Sequence, residues 1–130
     1  IEEERQKRAI IKHTYIENLK DIPGIKLMPD LPGVRSSYQY FAIRIDEEEF
    51  GRSRDYVYEE LKKYNIFTRK YFHPLCSNFE CYRHLPSADP KNLPIANKIG
   101  NGVLSMPFYG ELTQEDVKRI AEIVRWINEH

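Results

Sequence analysis

The last stretch of the chain constrains its fold most. Val117, Ile120, Ala121, Val124 and Ile127 recur with the period of a helix that is apolar on one side only. Thr113 stands where such a helix is capped, and Asp116, three residues on, gives the spacing of a capping box. A helix this one-sided must lay its apolar stripe on a second layer. The remaining segments have to supply that layer.

They supply strands. In Ser37–Ile45, Phe41, Ile43 and Ile45 point to one face and Tyr38, Tyr40 and Ala42 to the other. Ile66–Arg69 and Val103–Met106, the latter ended by Pro107, are predicted to join it in one sheet. Ile25–Met28 reads as a short edge strand limited by Pro29. Three more helices are expected. Glu2–Lys20 carries a stripe of Ile11, Tyr15 and Leu19, widened by Ile16 and stopped by Pro23 and Gly24. Arg54–Tyr64 is capped by Ser53, and Asn65 sits where a left-handed C-terminal cap belongs. Leu93–Gly100 has Pro94 near its first turn. Asp46–Gly51 reads as an acidic turn, Leu75–Leu85 as a mixed loop and short helix, and Ser87–Asn92 as a loop. The architecture expected is a two-layer α+β domain over residues 1–130, with about three strands and helices on one face. No repeat, low-complexity tract or linker divides it.

Charge narrows the partners. Twenty basic residues balance twenty acidic ones, so no general field favours nucleic acid or an anionic membrane. No apolar run is long enough to span a bilayer, and no signal peptide is visible. Cys76 and Cys81 alone do not make a disulfide framework, so a reducing cytoplasm is the expected compartment. A chain that starts at Ile1, already in helical pattern by Glu2, is expected to be a piece of a longer protein.

Chemistry concentrates in Ile66–Leu75, where Thr68, Arg69, Lys70, Tyr71 and His73 follow a short apolar run. On an extended backbone Arg69, Tyr71 and His73 would face the same cleft. Arginine offers a fork of donors to phosphate, and tyrosine and histidine offer donors to sugar hydroxyls. The bland alternative is a solvated basic strand end. Downstream, His73, Cys76, Cys81 and His84 place four nitrogen or sulfur donors within twelve residues, a set zinc accepts. A single loop would have to wrap the ion completely, so no metal is assigned. The chain shows no nucleophile elbow, phosphate loop or paired-carboxylate motif, and no catalytic residue is assigned.

Three stretches resemble the C-terminal small domain of the DegT/DnrJ/StrS family of pyridoxal-phosphate (PLP)-dependent nucleotide-sugar aminotransferases. They are Ser53–Val57 leading to Asn65 and Ile66; Thr68–Leu75; and Leu93–Ala96 followed by Val103–Tyr109 and Leu112–Thr113. Val34–Tyr38 fits as well. Where the family usually has glycine, this chain has Asn65. The resemblance implies a mainly antiparallel sheet and a parent enzyme that moves an amino group onto a nucleotide-linked keto-sugar. It implies that PLP and its lysine belong to a large N-terminal domain of the same protein, that the parent is a homodimer, and that this fragment alone is inactive and cofactor-free. Arg69, Tyr71 and His73 would position the nucleotide sugar. The alternatives are a free-standing α+β binding or interaction module and a small zinc-binding domain that uses His73, Cys76, Cys81 and His84.

Overall fold

The computed structural model describes all residues 1–130. Its elements are α1 (Glu2–Leu19), β1 (Ile25–Leu27), β2 (Ala42–Ile45), α2 (Glu47–Phe50), α3 (Arg54–Lys63), α4 (Pro94–Gly102), β3 (Val103–Ser105) and α5 (Gln114–Glu129). The three strands form one antiparallel sheet in the order β1-β2-β3. No helix is long and apolar enough to cross a membrane.

The register sorts side chains between two faces. Ile25 stands opposite Ile45, and Ile43 lies between Leu27 and Leu104. This apolar face is covered by α1, α5 and α3, whose stripes converge on it in a single core. Ile11, Tyr15 and Leu19 come from α1, Val57 and Leu61 from α3, and Val117, Ile120, Val124 and Ile127 from α5; all are buried. Tyr15 stacks on Phe41 at 4.7 Å between ring centroids, and its hydroxyl donates to the Pro107 carbonyl at 2.8 Å. The other face carries Lys26, Arg44 and Val103 in one cross-strand row and Ala42 beside Ser105 in the next.

Local chemistry fixes the element ends. The Ser53 hydroxyl accepts from the Tyr56 N–H at 3.1 Å, and Asn65 takes the left-handed cap with φ 61°. Thr113 Oγ1 accepts from the Asp116 N–H at 3.1 Å and donates its own proton to Asp116 Oδ2 at 2.6 Å. The expected capping box therefore closes through the hydroxyl of Thr113. Gly24 turns the chain into β1 at φ 78°, and a Cβ there would collide with the Phe50 backbone nitrogen.

Several expectations need correction. Ile66–Arg69 is not a strand. The Ile66 N–H is spent on the Leu61 carbonyl at the end of α3, and only Arg69 reaches the sheet, in a single bridge to Ser105. The third strand is instead the edge strand Ile25–Leu27, on the far side of β2. The long strand Ser37–Ile45 pairs only from Ala42, with one further bond from the Met106 N–H to the Phe41 carbonyl. Ahead of it, the Ser36 and Tyr38 carbonyls are taken by Arg5 and Arg8 of α1, and Tyr38 adopts φ 49°. The acidic turn holds one helical turn, α2, which buries Phe50. The two downstream loops contain 3₁₀ turns at Cys76–Asn78, Pro86–Ala88 and Pro90–Asn92.

Candidate functional site

Arg69 is the anchor of the candidate site. Its N–H donates to the Ser105 carbonyl at 3.0 Å, and its carbonyl accepts from the Ser105 N–H at 2.7 Å. Bridged residues share a face, so Arg69 stands on the polar face of the sheet beside Ser105 and Ala42. Its neighbour Thr68 turns the other way and is buried, with a hydroxyl that finds no partner.

The Arg69 guanidinium is unspent. Arg5, Arg8, Arg35, Arg44, Arg54 and Arg83 are all in ion pairs. Arg52 and Arg125 donate to backbone carbonyls. Arg69 and Arg119 alone among the ten make neither kind of contact. Arg69 is exposed and lies 5.9 Å over the Tyr71 ring.

Beyond Arg69 the backbone does not stay extended. The His73 N–H closes a turn onto the Lys70 carbonyl at 2.8 Å, so simple alternation does not put the three predicted residues on one line. Arg69 and Tyr71 do meet. His73 lies past the turn, exposed, with no stacking or hydrogen bond joining its ring to either. Tyr71 is half-buried. It stacks on Phe72 at 5.1 Å and meets the edge of Tyr40 at 5.5 Å, and Tyr40 also meets Phe72 at 6.5 Å. Phe72 is 70% exposed and Tyr40 51%. The result is an aromatic shelf open to solvent beside a free arginine.

Sequence reasoning missed what holds this loop. Arg54 is buried at the start of α3. Its Nη1 donates to the Gly100 carbonyl at 3.0 Å and the Val103 carbonyl at 2.8 Å, and its Nε donates to Asp55 Oδ1 at 2.8 Å. The same Asp55 oxygen lies 2.7 Å from Lys70 Nζ, which also sits 4.5 Å over the Tyr58 ring. The hydrogen bond from Lys70, with help from Arg54, holds the Asp55 carboxyl below the ordinary carboxylate range against the opposing effect of desolvation. The only signal in the sequence was an Arg-Asp pair just inside a helix cap, which reads equally well as a solvated first turn.

The four donors His73, Cys76, Cys81 and His84 do not converge. No three His, Cys, Asp or Glu side chains gather as a metal site, and both thiols are free and exposed. The lysines do not fit a Schiff base with PLP, which needs a neutral, desolvated amine. None is buried, and seven of the ten are paired with carboxylates. Hydrogen bonds donated to Glu111, Glu17, Glu59 and Glu60 hold Lys7, Lys20, Lys62 and Lys63 protonated more firmly than usual.

The fold defines a class: the three-stranded antiparallel sheet with helices on one face is built as in the C-terminal domain of fold-type I PLP-dependent transferases. Within that class the chain belongs to the DegT/DnrJ/EryC1/StrS aminotransferase family, whose sequence model matches residues 1–125. It is 47% identical over 124 residues to dTDP-4-amino-4,6-dideoxy-D-glucose transaminase of Escherichia coli, covering 95% of this chain and 33% of the relative. It is 35% identical to the Shigella dysenteriae protein of the same name, covering 87% of this chain and 30% of the relative. Among solved structures it superposes on DesI, crystallised in the presence of its TDP-sugar product, with a TM-score of 0.88 and 32% identity over 97% of this chain and 31% of DesI. The chain thus spans about a third of the length of these relatives.

Proposed function

We propose that this chain is the substrate-side small domain of a PLP-dependent aminotransferase acting on a nucleotide-linked sugar. The observation that carries the reading is the 47% identity to a dTDP-4-amino-4,6-dideoxy-D-glucose transaminase across 95% of the chain. The unpaired guanidinium of Arg69 beside an open aromatic shelf supports it. On this reading Arg69 holds a phosphate oxygen, and Tyr71 and His73 donate to sugar hydroxyls. The cofactor and its lysine belong to the N-terminal domain of the same protein, since no lysine of this chain has suitable surroundings. The parent works in the cytoplasm as a homodimer, and the 130-residue chain is inactive and cofactor-free alone.

The test is an amino-transfer assay on the protein that carries this chain, with dTDP-4-amino-4,6-dideoxy-D-glucose as donor and 2-oxoglutarate as acceptor, following glutamate. Glutamate release is the expected result. No turnover on any nucleotide-linked amino- or keto-sugar would overturn the reading and leave the free-standing binding module in its place. Activity from the 130-residue chain alone would overturn the division of labour between domains.

A further inference from the structure

We infer that Asp55 is a positioning residue for substrate binding, setting the direction of the Arg69–His73 loop through its contact with Lys70. This rests on the reading of that loop as substrate-side. Three observations lead to it. First, the loop has little else to hold it past Arg69. After the bridge to Ser105, the only backbone bond within residues 70–73 is the turn from the His73 N–H to the Lys70 carbonyl. Second, Lys70 is the one residue there whose side chain makes an ion pair, with Asp55 at 2.7 Å, and it also lies over the Tyr58 face at 4.5 Å, both on α3; Tyr71 and Phe72 meet only the edge of the half-exposed Tyr40 among aromatic rings outside the loop. Third, Asp55 is itself held. Arg54 reaches it at 2.8 Å while its other donors grip Gly100 and Val103, where α4 passes into β3.

The chain of contacts therefore runs from a buried arginine through one carboxylate to the residue between Arg69 and Tyr71. Neither Asp55 nor Lys70 is needed for the core. The Asp55 side chain is 64% exposed and that of Lys70 is 28% exposed. An ion pair so placed contributes little to folding. It can still choose among loop directions, because a small displacement of a binding group is felt in substrate affinity far more than in stability.

The experiment uses the full enzyme with Asp55→Asn, Asp55→Glu, Lys70→Met and, as reference, Arg69→Ala. Asp55→Asn keeps shape and loses the charge, and Lys70→Met breaks the same contact from the other end. Each should raise KM for the nucleotide sugar by about three- to fivefold, the size expected of a part-exposed pair, with kcat and the KM for 2-oxoglutarate unchanged. The double variant should cost no more than either single one. Asp55→Glu should recover part of the loss. If Arg69→Ala raises the nucleotide-sugar KM while Asp55→Asn and Lys70→Met do not, the positioning role is wrong and the substrate-side reading stands. If Arg69→Ala also leaves that KM unchanged, the reading of the loop fails, and this inference with it. Additive single effects would likewise overturn the inference.

Discussion

Tyr15 and Phe72 mark two regions that use aromatic rings in opposite ways. Tyr15 is wholly enclosed by α1, α5 and the sheet, its ring flat on Phe41 and its hydroxyl satisfied by the Pro107 carbonyl. Phe72 stands 70% exposed, its ring against those of Tyr71 and Tyr40, themselves part-exposed. The first region is complete within this chain: its apolar surface is covered and the Tyr15 hydroxyl is paired. The second has surface left uncovered and, in Arg69, a cation left without a counterion. Exposed rings beside a free guanidinium gain little for folding, which is why their role is sought in what the domain binds.

Substitutions should pull the two regions further apart. The largest effect belongs to the core: Leu104→Ala, at a fully buried position on the helix-covered face of the sheet, should cost about 3 kcal/mol by urea unfolding. A loss under about 1 kcal/mol would show the core far more adaptable than its packing implies. Next comes Tyr15→Phe, which removes a buried hydrogen bond and should cost about 1 kcal/mol. It also carries a pH signature. Burial pushes the Tyr15 hydroxyl well above its ordinary pKa. Its stabilising contribution is therefore intact below about pH 10 and is lost as pH rises past that of a free tyrosine. The alkaline fall in stability should be shallower in Tyr15→Phe than in the wild type, and identical alkaline slopes would contradict the enclosure of this ring. The smallest effect belongs to the open shelf: Phe72→Ser should change unfolding free energy by less than about 0.5 kcal/mol. A loss comparable to that at Leu104 would erase the contrast.

The same contrast explains what the sequence could reveal. The stripes of α1, α3 and α5 and the caps at Ser53, Asn65 and Thr113 were legible because periodicity and capping are local, and local chemistry decides them. The alternation of Phe41, Ile43 and Ile45 was legible for the same reason. The extent of strands was not. Ile66–Arg69 has strand-like composition, yet its pairing was decided by a donor already spent on α3 and by a partner that offers only Ser105. Ser37–Tyr40 lost its pairing to arginines of α1, some thirty residues away. In the candidate site, Arg69 and Tyr71 were readable as residue types with binding chemistry. The turn that separates His73 from them, and the Arg54–Asp55–Lys70 relay, depend on contacts between distant segments that no spacing rule reports.

The central claim is that Arg69 is held by the fold but serves the ligand. The most direct measurement takes Arg69→Ala in the full enzyme and determines, on one preparation, the KM for the nucleotide sugar and the melting temperature. Loss of a charged hydrogen bond to phosphate predicts a KM raised by about tenfold or more, with the melting temperature essentially unmoved. An unchanged KM together with a markedly lower melting temperature would contradict the account and make Arg69 a structural residue of the sheet.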